Sequence, residues 1–248
     1  MKRFSAFVLA LLLTVATSTF AKPDHSKLRD YVQFVHVEVD LVAPPALINF
    51  QPDAKPKANF YGSAVVIAPG YAVSAWHIFA AAEEIPEGVR TKIAQLMSRD
   101  GKTNRVPLTV VAKDIEHDLV LVKGEFTCPC APLAVREAEL DELVYAVGFP
   151  QFAQHGVQLL TEGTYQGLSV LNTYLVTTHM APGASGGGGF QKEDGELRLI
   201  GIVDAIGVAN LGPPQFGIRQ EVHWTTFLTP VKYVHALIKG TPAENLVR

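Results

Sequence analysis

The chain has 248 residues, of which 48% are hydrophobic and 18% charged. That balance excludes disordered and fibrous proteins and supplies enough apolar material for a sizeable core, as one large domain or two small ones. With 21 basic against 24 acidic residues the formal charge is −3, so there is no electrostatic case for nucleic-acid binding.

The chain opens as a targeting segment. Lys2 and Arg3 precede an apolar stretch from Ala6 to Val15, and Thr19 and Ala21 place small residues at the positions a signal peptidase accepts. Cleavage is expected after Ala21, making residues 1–21 a signal peptide and the protein periplasmic or extracellular. The apolar run is shorter than the ~20 residues a spanning helix needs, and no cysteine follows it to carry a lipid. No stable membrane anchor is therefore expected after cleavage. Loss of Lys2 and Arg3 leaves 19 basic against 24 acidic residues, a charge of −5.

From there the pattern is mostly β. Residues 31–42 alternate, with Val35, Val37, Val39 and Leu41 on one face and His36, Glu38 and Asp40 on the other, the period of a half-buried strand. His36 is read as solvated. Further short strands are expected at 64–68, 105–112, 119–122, 143–147, 157–161, 173–178, 197–203 and 221–228, separated by Gly, Pro, Asp and Asn. Such spacing suggests barrels or sandwiches. A helical pattern covers 230–239, where Pro230 suits a first turn and Val231, Val234 and Ile238 share a face. A shorter helical turn is expected at 76–82. The segment 125–142 reads as a crossover between two halves. It holds both cysteines, Cys128 and Cys130, around Pro129: a labile disulfide and a pair of thiols both fit. Residues near them do not offer zinc-ligand spacing.

The chemistry points to Ser185, inside the run Pro182, Gly183, Ala184, Ser185, Gly186, Gly187, Gly188, Gly189. A hydroxyl between residues without side chains suits a nucleophile whose flanking amides must stay open to a substrate oxygen. Serine needs a base, usually His, and the His needs a carboxylate to fix its tautomer. His77 follows an apolar strand and turn and opens the short helical segment. Asp118 directly precedes the strand Leu119, Val120, Leu121, Val122. Asp114 is the rival acid, better suited to closing the loop. Gly183, Ala184, Ser185, Gly186, Gly187 also satisfies a nucleophile elbow, with Asp204 and His223 or His235 completing an α/β-hydrolase order. That esterase reading suffers from the lack of a helix after the glycines. A phosphate loop fails because no Lys with Ser or Thr follows them.

These residues resemble the trypsin-like serine proteases, in the bacterial exported branch with the high-temperature-requirement proteases and glutamyl endopeptidases. The resemblance rests on Ser74, Ala75, Trp76, His77; on His117, Asp118, Leu119, Val120, Leu121; and on Pro182, Gly183, Ala184, Ser185, Gly186, Gly187. Ala146 to Pro150, Gly201 to Val203 and Thr229 to Val231 add to it. It implies an all-β fold of two six-stranded antiparallel β-barrels with a C-terminal α-helix. The first barrel would occupy 22–125, the linker 126–141, and the second barrel with the helix 142–248. It also implies an endopeptidase that works through an acyl-enzyme, with His77, Asp118 and Ser185 catalytic and the amides of Gly183 and Ser185 forming the oxyanion hole. His179, Val203 and Asp204 would line the substrate pocket, and the substrate would be a protein or peptide. No metal or organic cofactor is implied.

There are departures. Ala184 stands where animal enzymes carry the aspartate that receives a new amino terminus, so no such activation step is expected. Without an acid at His179, strict cleavage after Lys or Arg is not expected. Asp204 lies near where many relatives carry a serine beside the triad carboxylate, and a second carboxylate there would repel Asp118. Asp204 and the bulky Trp76 also fit a second class, a catalytically inactive binding protein of the same fold.

Overall fold

The computed structural model describes residues 25–43, 55–98, 104–127, 129–150, 157–210 and 219–247. The expected signal segment and Cys128 lie outside them. A short helix, α1 (Ser26–Tyr31), leads into β1 (Val32–Leu41), followed by β2 (Lys57–Ala68), β3 (Tyr71–Ala75), helix α2 (Trp76–Glu83), β4 (Arg90–Ser98), β5 (Val106–Pro107), β6 (Thr109–Asp114) and β7 (Leu119–Lys123). These strands form one seven-stranded antiparallel sheet in the order β5-β4-β1-β2-β3-β7-β6.

The second half holds β8 (Leu143–Gly148), β9 (Leu159–Leu168), β10 (Tyr174–Val176), β11 (Gly188–Glu193), β12 (Glu196–Asn210) and β13 (Arg219–Pro230), then helix α3 (Val231–Ile238). They close into a six-stranded barrel in the order β10-β13-β12-β11-β8-β9. The architecture is a trypsin-like double barrel, with the second half closed and the first a curled half-barrel sheet. A parallel α/β-hydrolase sheet is excluded, because every named strand pair is antiparallel.

Burial follows the two-residue period of the strands. On β1, Val35, Val37 and Val39 are fully buried while Glu38 and Asp40 stay partly exposed. His36 departs from its expected solvation: it is buried, its Nε2 lies 2.8 Å from Asn59 Oδ1, and its ring stacks on Tyr61. The stacked neighbour gives an outward-facing imidazole its cover. β7 is apolar on both faces because it separates two cores. Leu119 and Leu121 enter the one shared with the second barrel, while Val120 and Val122 enter the one inside the first half. Its ends therefore fall at the seam between the halves.

Several elements differ in extent from the sequence reading. β2, β9 and β12 are longer than expected: β2 and β9 extend through residues without clean alternation, and β12 continues past Asp204 and Gly207 along β13. β4 has no clean alternation and carries Arg90 and Lys92, yet it pairs β1 along its length. β11 is a strand that the sequence pattern did not indicate; it lies between β8 and β12. Pro230 caps α3 from outside, with φ −57° and ψ 144°, rather than occupying its first turn.

The crossover segment is stitched to both halves. Ala131 N–H donates to the Val66 carbonyl, and Leu199 N–H donates to the Pro132 carbonyl. The Glu193 carboxylate accepts from the N–H groups of Val135 and Arg136 and from the Arg136 side chain. Cys130 is disulfide-bonded, which decides between the two readings of that thiol.

Phe190 on β11 is fully buried and packs 6.0 Å, centroid to centroid, from the Tyr31 ring. Phe190→Ala is expected to destabilise the fold by about 3–5 kcal/mol, the usual cost of truncating a core aromatic. A denaturant titration would show this as a lower midpoint with an unchanged slope.

Candidate active site

His77 and Asp118 come from elements joined by one strand pairing. β3 runs antiparallel to β7 with Ala75 opposite Leu119, so the first turn of α2 and the turn before β7 meet at one end of the sheet. Asp118 occupies that turn with φ +53°, a left-handed conformation that Asp tolerates better than most side chains. From there it grips the neighbouring turn at three points. Its backbone carbonyl accepts from Trp76 N–H at 3.0 Å, its Oδ1 accepts from His77 N–H at 2.7 Å, and its Oδ2 lies 2.5 Å from His77 Nδ1. The imidazole is thereby oriented through Nδ1, leaving Nε2 for other work. Its side chain is 49% exposed and Asp118's 24%.

Asp114 takes no part in this pair. Its carboxylate accepts from His117 N–H and faces His117 Nδ1 at 2.7 Å, closing the turn as expected. His117 in turn stacks on Tyr233 of α3 at 3.6 Å, and its carbonyl accepts from Thr229 Oγ1. The C-terminal helix thus braces the turn that presents Asp118. Trp76 does not obstruct the cleft: it is 6% exposed, packs in the first-half core, and lies under Lys113 Nζ at 4.2 Å.

Ser185 sits on the loop before β11. Its carbonyl accepts from Ser63 N–H at 2.7 Å, and its Oγ lies 3.3 Å from the Asp204 carbonyl oxygen. His77, Ser185, Ala181, Pro182, Val203, Asp204, Ala205 and Ile206 line one cleft of about 390 Å³. Among the described residues, the N–H groups of Gly183 and Ser185 have no hydrogen-bond acceptor, whereas those of Ala184, Gly186 and Gly187 do. Two free amides beside the hydroxyl are what an oxyanion site requires. Gly183 has φ +93°, which keeps that conformation unstrained.

The remaining sequence-derived candidates divide. Val203 and Asp204 line the cleft. His179 is exposed and is not among the described residues that line it. His235 lies on α3 with its Nε2 3.0 Å from the Ala134 carbonyl, so it cannot complete an elbow triad. The His223 side chain lies outside the described part.

Asp204 brings a second carboxyl to the pair. One donor atom each of His77, Asp118 and Asp204 lie within 4.8 Å of one another. Burial and then the Asp118 charge push the Asp204 carboxyl up to about 6, against the pull of His77, with a hydrogen bond to Asp118 adding to the rise. For His77, burial disfavours the charged ring, but the Asp118 hydrogen bond and the charges of Asp118 and Asp204 outweigh it, so its pKa is raised.

Sequence reasoning missed Ser63. Its N–H holds the Ser185 carbonyl, its Oγ accepts from Phe149 N–H at 2.9 Å and lies 3.4 Å from the Gly183 carbonyl, and its own carbonyl accepts from Ser74 Oγ at 2.6 Å. One buried serine therefore joins the Ser185 loop to the first half. The visible signal was the small pair Gly62 and Ser63 before an apolar run. Gly186 is its counterpart: φ is +81°, and a Cβ there would run into the Ser63 carbonyl and the Ser74 hydroxyl. Gly186→Ala must displace the loop, and a misplacement of about 1 Å can cost 100-fold in turnover. Loss of at least that much activity is expected, with folding retained by circular dichroism.

A family model for the trypsin-like peptidase domain matches residues 62–202, a span that contains His77, Asp118 and Ser185. No curated protein sequence matches the chain. Among solved structures, the serine endoprotease from Yersinia pestis is 19% identical with a TM-score of 0.54, over 85% of this chain and 62% of that one. The HtrA-type protease AlgW with decapeptide is 20% identical with a TM-score of 0.57, over 84% of this chain and 63% of that one. This chain thus spans less than two thirds of either solved chain, and the likeness shows a shared fold.

Proposed function

Because this chain belongs to the trypsin-like peptidase family, we propose that it is an exported serine endopeptidase that hydrolyses peptide bonds through Ser185, His77 and Asp118. The observation that carries this reading is the grip of Asp118 on His77 Nδ1 at the edge of the cleft that Ser185 lines. With Nδ1–H donated to the carboxylate, the Nε2 lone pair is free to take the Ser185 proton as Oγ attacks the scissile carbonyl. The amides of Gly183 and Ser185 meet the developing oxyanion. His77 then gives its proton to the leaving amine, and water repeats the sequence on the acyl-enzyme. A peptide substrate is in keeping with the AlgW structure, which was solved with a decapeptide.

The walls supplied by Ala181, Pro182, Val203, Ala205 and Ile206 favour an apolar side chain next to the scissile bond, which leaves water for apolar contact. Export rests on the targeting pattern at residues 1–21. Among the described residues no helix is long and apolar enough to cross a membrane.

Labelling with a fluorophosphonate probe tests the reading. Wild type is expected to react at one site, and Ser185→Ala to remain unlabelled at unchanged thermal stability. A folded wild type that resists the probe would instead favour the inactive binding protein. With a randomised peptide library, cleavage after apolar residues is expected; strong preference for Lys or Arg would contradict the apolar pocket.

A further inference from the structure

We propose that His77, Asp118 and Asp204 form an inhibitory site for a divalent transition-metal ion of the Zn²⁺ class. Its inhibitory consequence rests on the protease reading; its binding does not.

The peptide-hydrolysis scheme assigns no step to the Asp204 carboxyl, yet the fold places it beside Asp118 and His77. One donor from each of the three lies within 4.8 Å of the others. Two facing carboxylates repel, and either a proton or a cation between them relieves the repulsion. One imidazole nitrogen and two carboxylate oxygens are a donor set that Zn²⁺ accepts, with water completing the shell. The two negative charges also balance a dication. The ligands come from three separate elements: the first turn of α2, the turn before β7, and β12. Each is anchored by backbone pairing, at Trp76 N–H to Asp118, at Ala75 to Leu119, and at Val203 to Gly187. Because the site is assembled across the fold, no local ligand spacing appears in the sequence.

The position of the ion sets its effect. The nitrogen facing Asp118 is Nδ1, so an ion shared by the three groups binds Nδ1 through its lone pair. The proton that Nδ1 carried passes through solvent to Nε2. Nε2 then presents N–H toward the cleft and has no lone pair with which to accept the Ser185 proton. Hydrolysis stops although the walls at Ala181, Pro182, Val203, Ala205 and Ile206 are unchanged. The ion therefore lowers kcat and leaves KM in place, unlike a ligand that occupies the cleft.

The binding test uses Ser185→Ala, which leaves all three ligands intact, titrated with Co²⁺ by visible absorption and with Zn²⁺ by calorimetry. A saturable visible spectrum and one ion per chain are expected. Asp204→Ser and Asp204→Asn, each checked for folding by circular dichroism, should weaken binding by more than the roughly 10–100-fold that loss of an outer-shell partner costs. No saturation at millimolar metal, or equal affinity in the folded Asp204 variants, would overturn the site. On wild type, Zn²⁺ should lower kcat at constant KM and suppress fluorophosphonate labelling, with both reversed by a chelator. An increase in KM alone would overturn the tautomer mechanism. A wild type that binds Co²⁺ but never hydrolyses peptides would sink the protease reading and leave the metal site standing.

Discussion

The hold of Asp118 on the turn that begins α2 is the interaction on which the rest of the site depends. A carboxylate that only touched the imidazole could be replaced by many arrangements. Here the same residue also accepts from the backbone N–H groups of Trp76 and His77, so the imidazole and the carboxylate form one rigid unit. The His77 N–H bond goes to the charged carboxylate and is stronger than a neutral one, while the Trp76 N–H bond goes to the backbone carbonyl. The unit is stable only if Asp118 keeps its left-handed backbone. That is secured from the other side, where Asp114 closes the turn, His117 stacks on Tyr233, and Thr229 binds the His117 carbonyl. The C-terminal helix thereby reaches the His77–Asp118 pair through His117.

A second constraint brings the Ser185 loop to this unit. Ser63 and Gly186 meet so closely that no side chain fits between them, and the Ser185 carbonyl is tied to Ser63 N–H. The closed barrel and the curled sheet are thus registered beside the cleft that Ser185 and His77 both line. The shared core on one face of β7 supports the seam from beneath. Asp204 enters from β12 as an extra carboxyl that this scheme does not need, and the charge it brings is what makes the site receptive to a cation.

How much of this the sequence disclosed follows from where each interaction is encoded. The strand pattern, the helix after Pro230 and the motifs around His77, Asp118 and Ser185 are local, so their periodicity and residue types were readable. β4 and the outer parts of β2 and β9 were not, because their pairing is satisfied by backbone groups while polar side chains interrupt the alternation; β12 runs on past Asp204 and Gly207, which read as a strand end. β11 was obscured by glycines that the barrel requires for close packing, as at Gly189 against Leu228. His36 was misjudged because its cover, Tyr61 and Asn59, comes from the partner strand. Ser63 escaped for a related reason: it acts through its backbone and a buried hydroxyl, and its partners are between 11 and 120 residues away for its side-chain-mediated bonds. The contact of Asp204 with Asp118, by contrast, was legible as a conflict, since two acids near one imidazole stand out even without coordinates.

The most direct measurement is the steady-state hydrolysis of an apolar peptide by Asp118→Asn. Asn keeps the size and an oxygen for His77 N–H, but its NH₂ donates to Nδ1 and forces the proton onto Nε2. A fall in kcat of roughly 10⁴-fold at neutral pH, with KM little changed, is expected when the base is held in the wrong tautomer. Retention of activity within about tenfold of wild type would contradict the account, because tautomer control of this kind is worth far more than that.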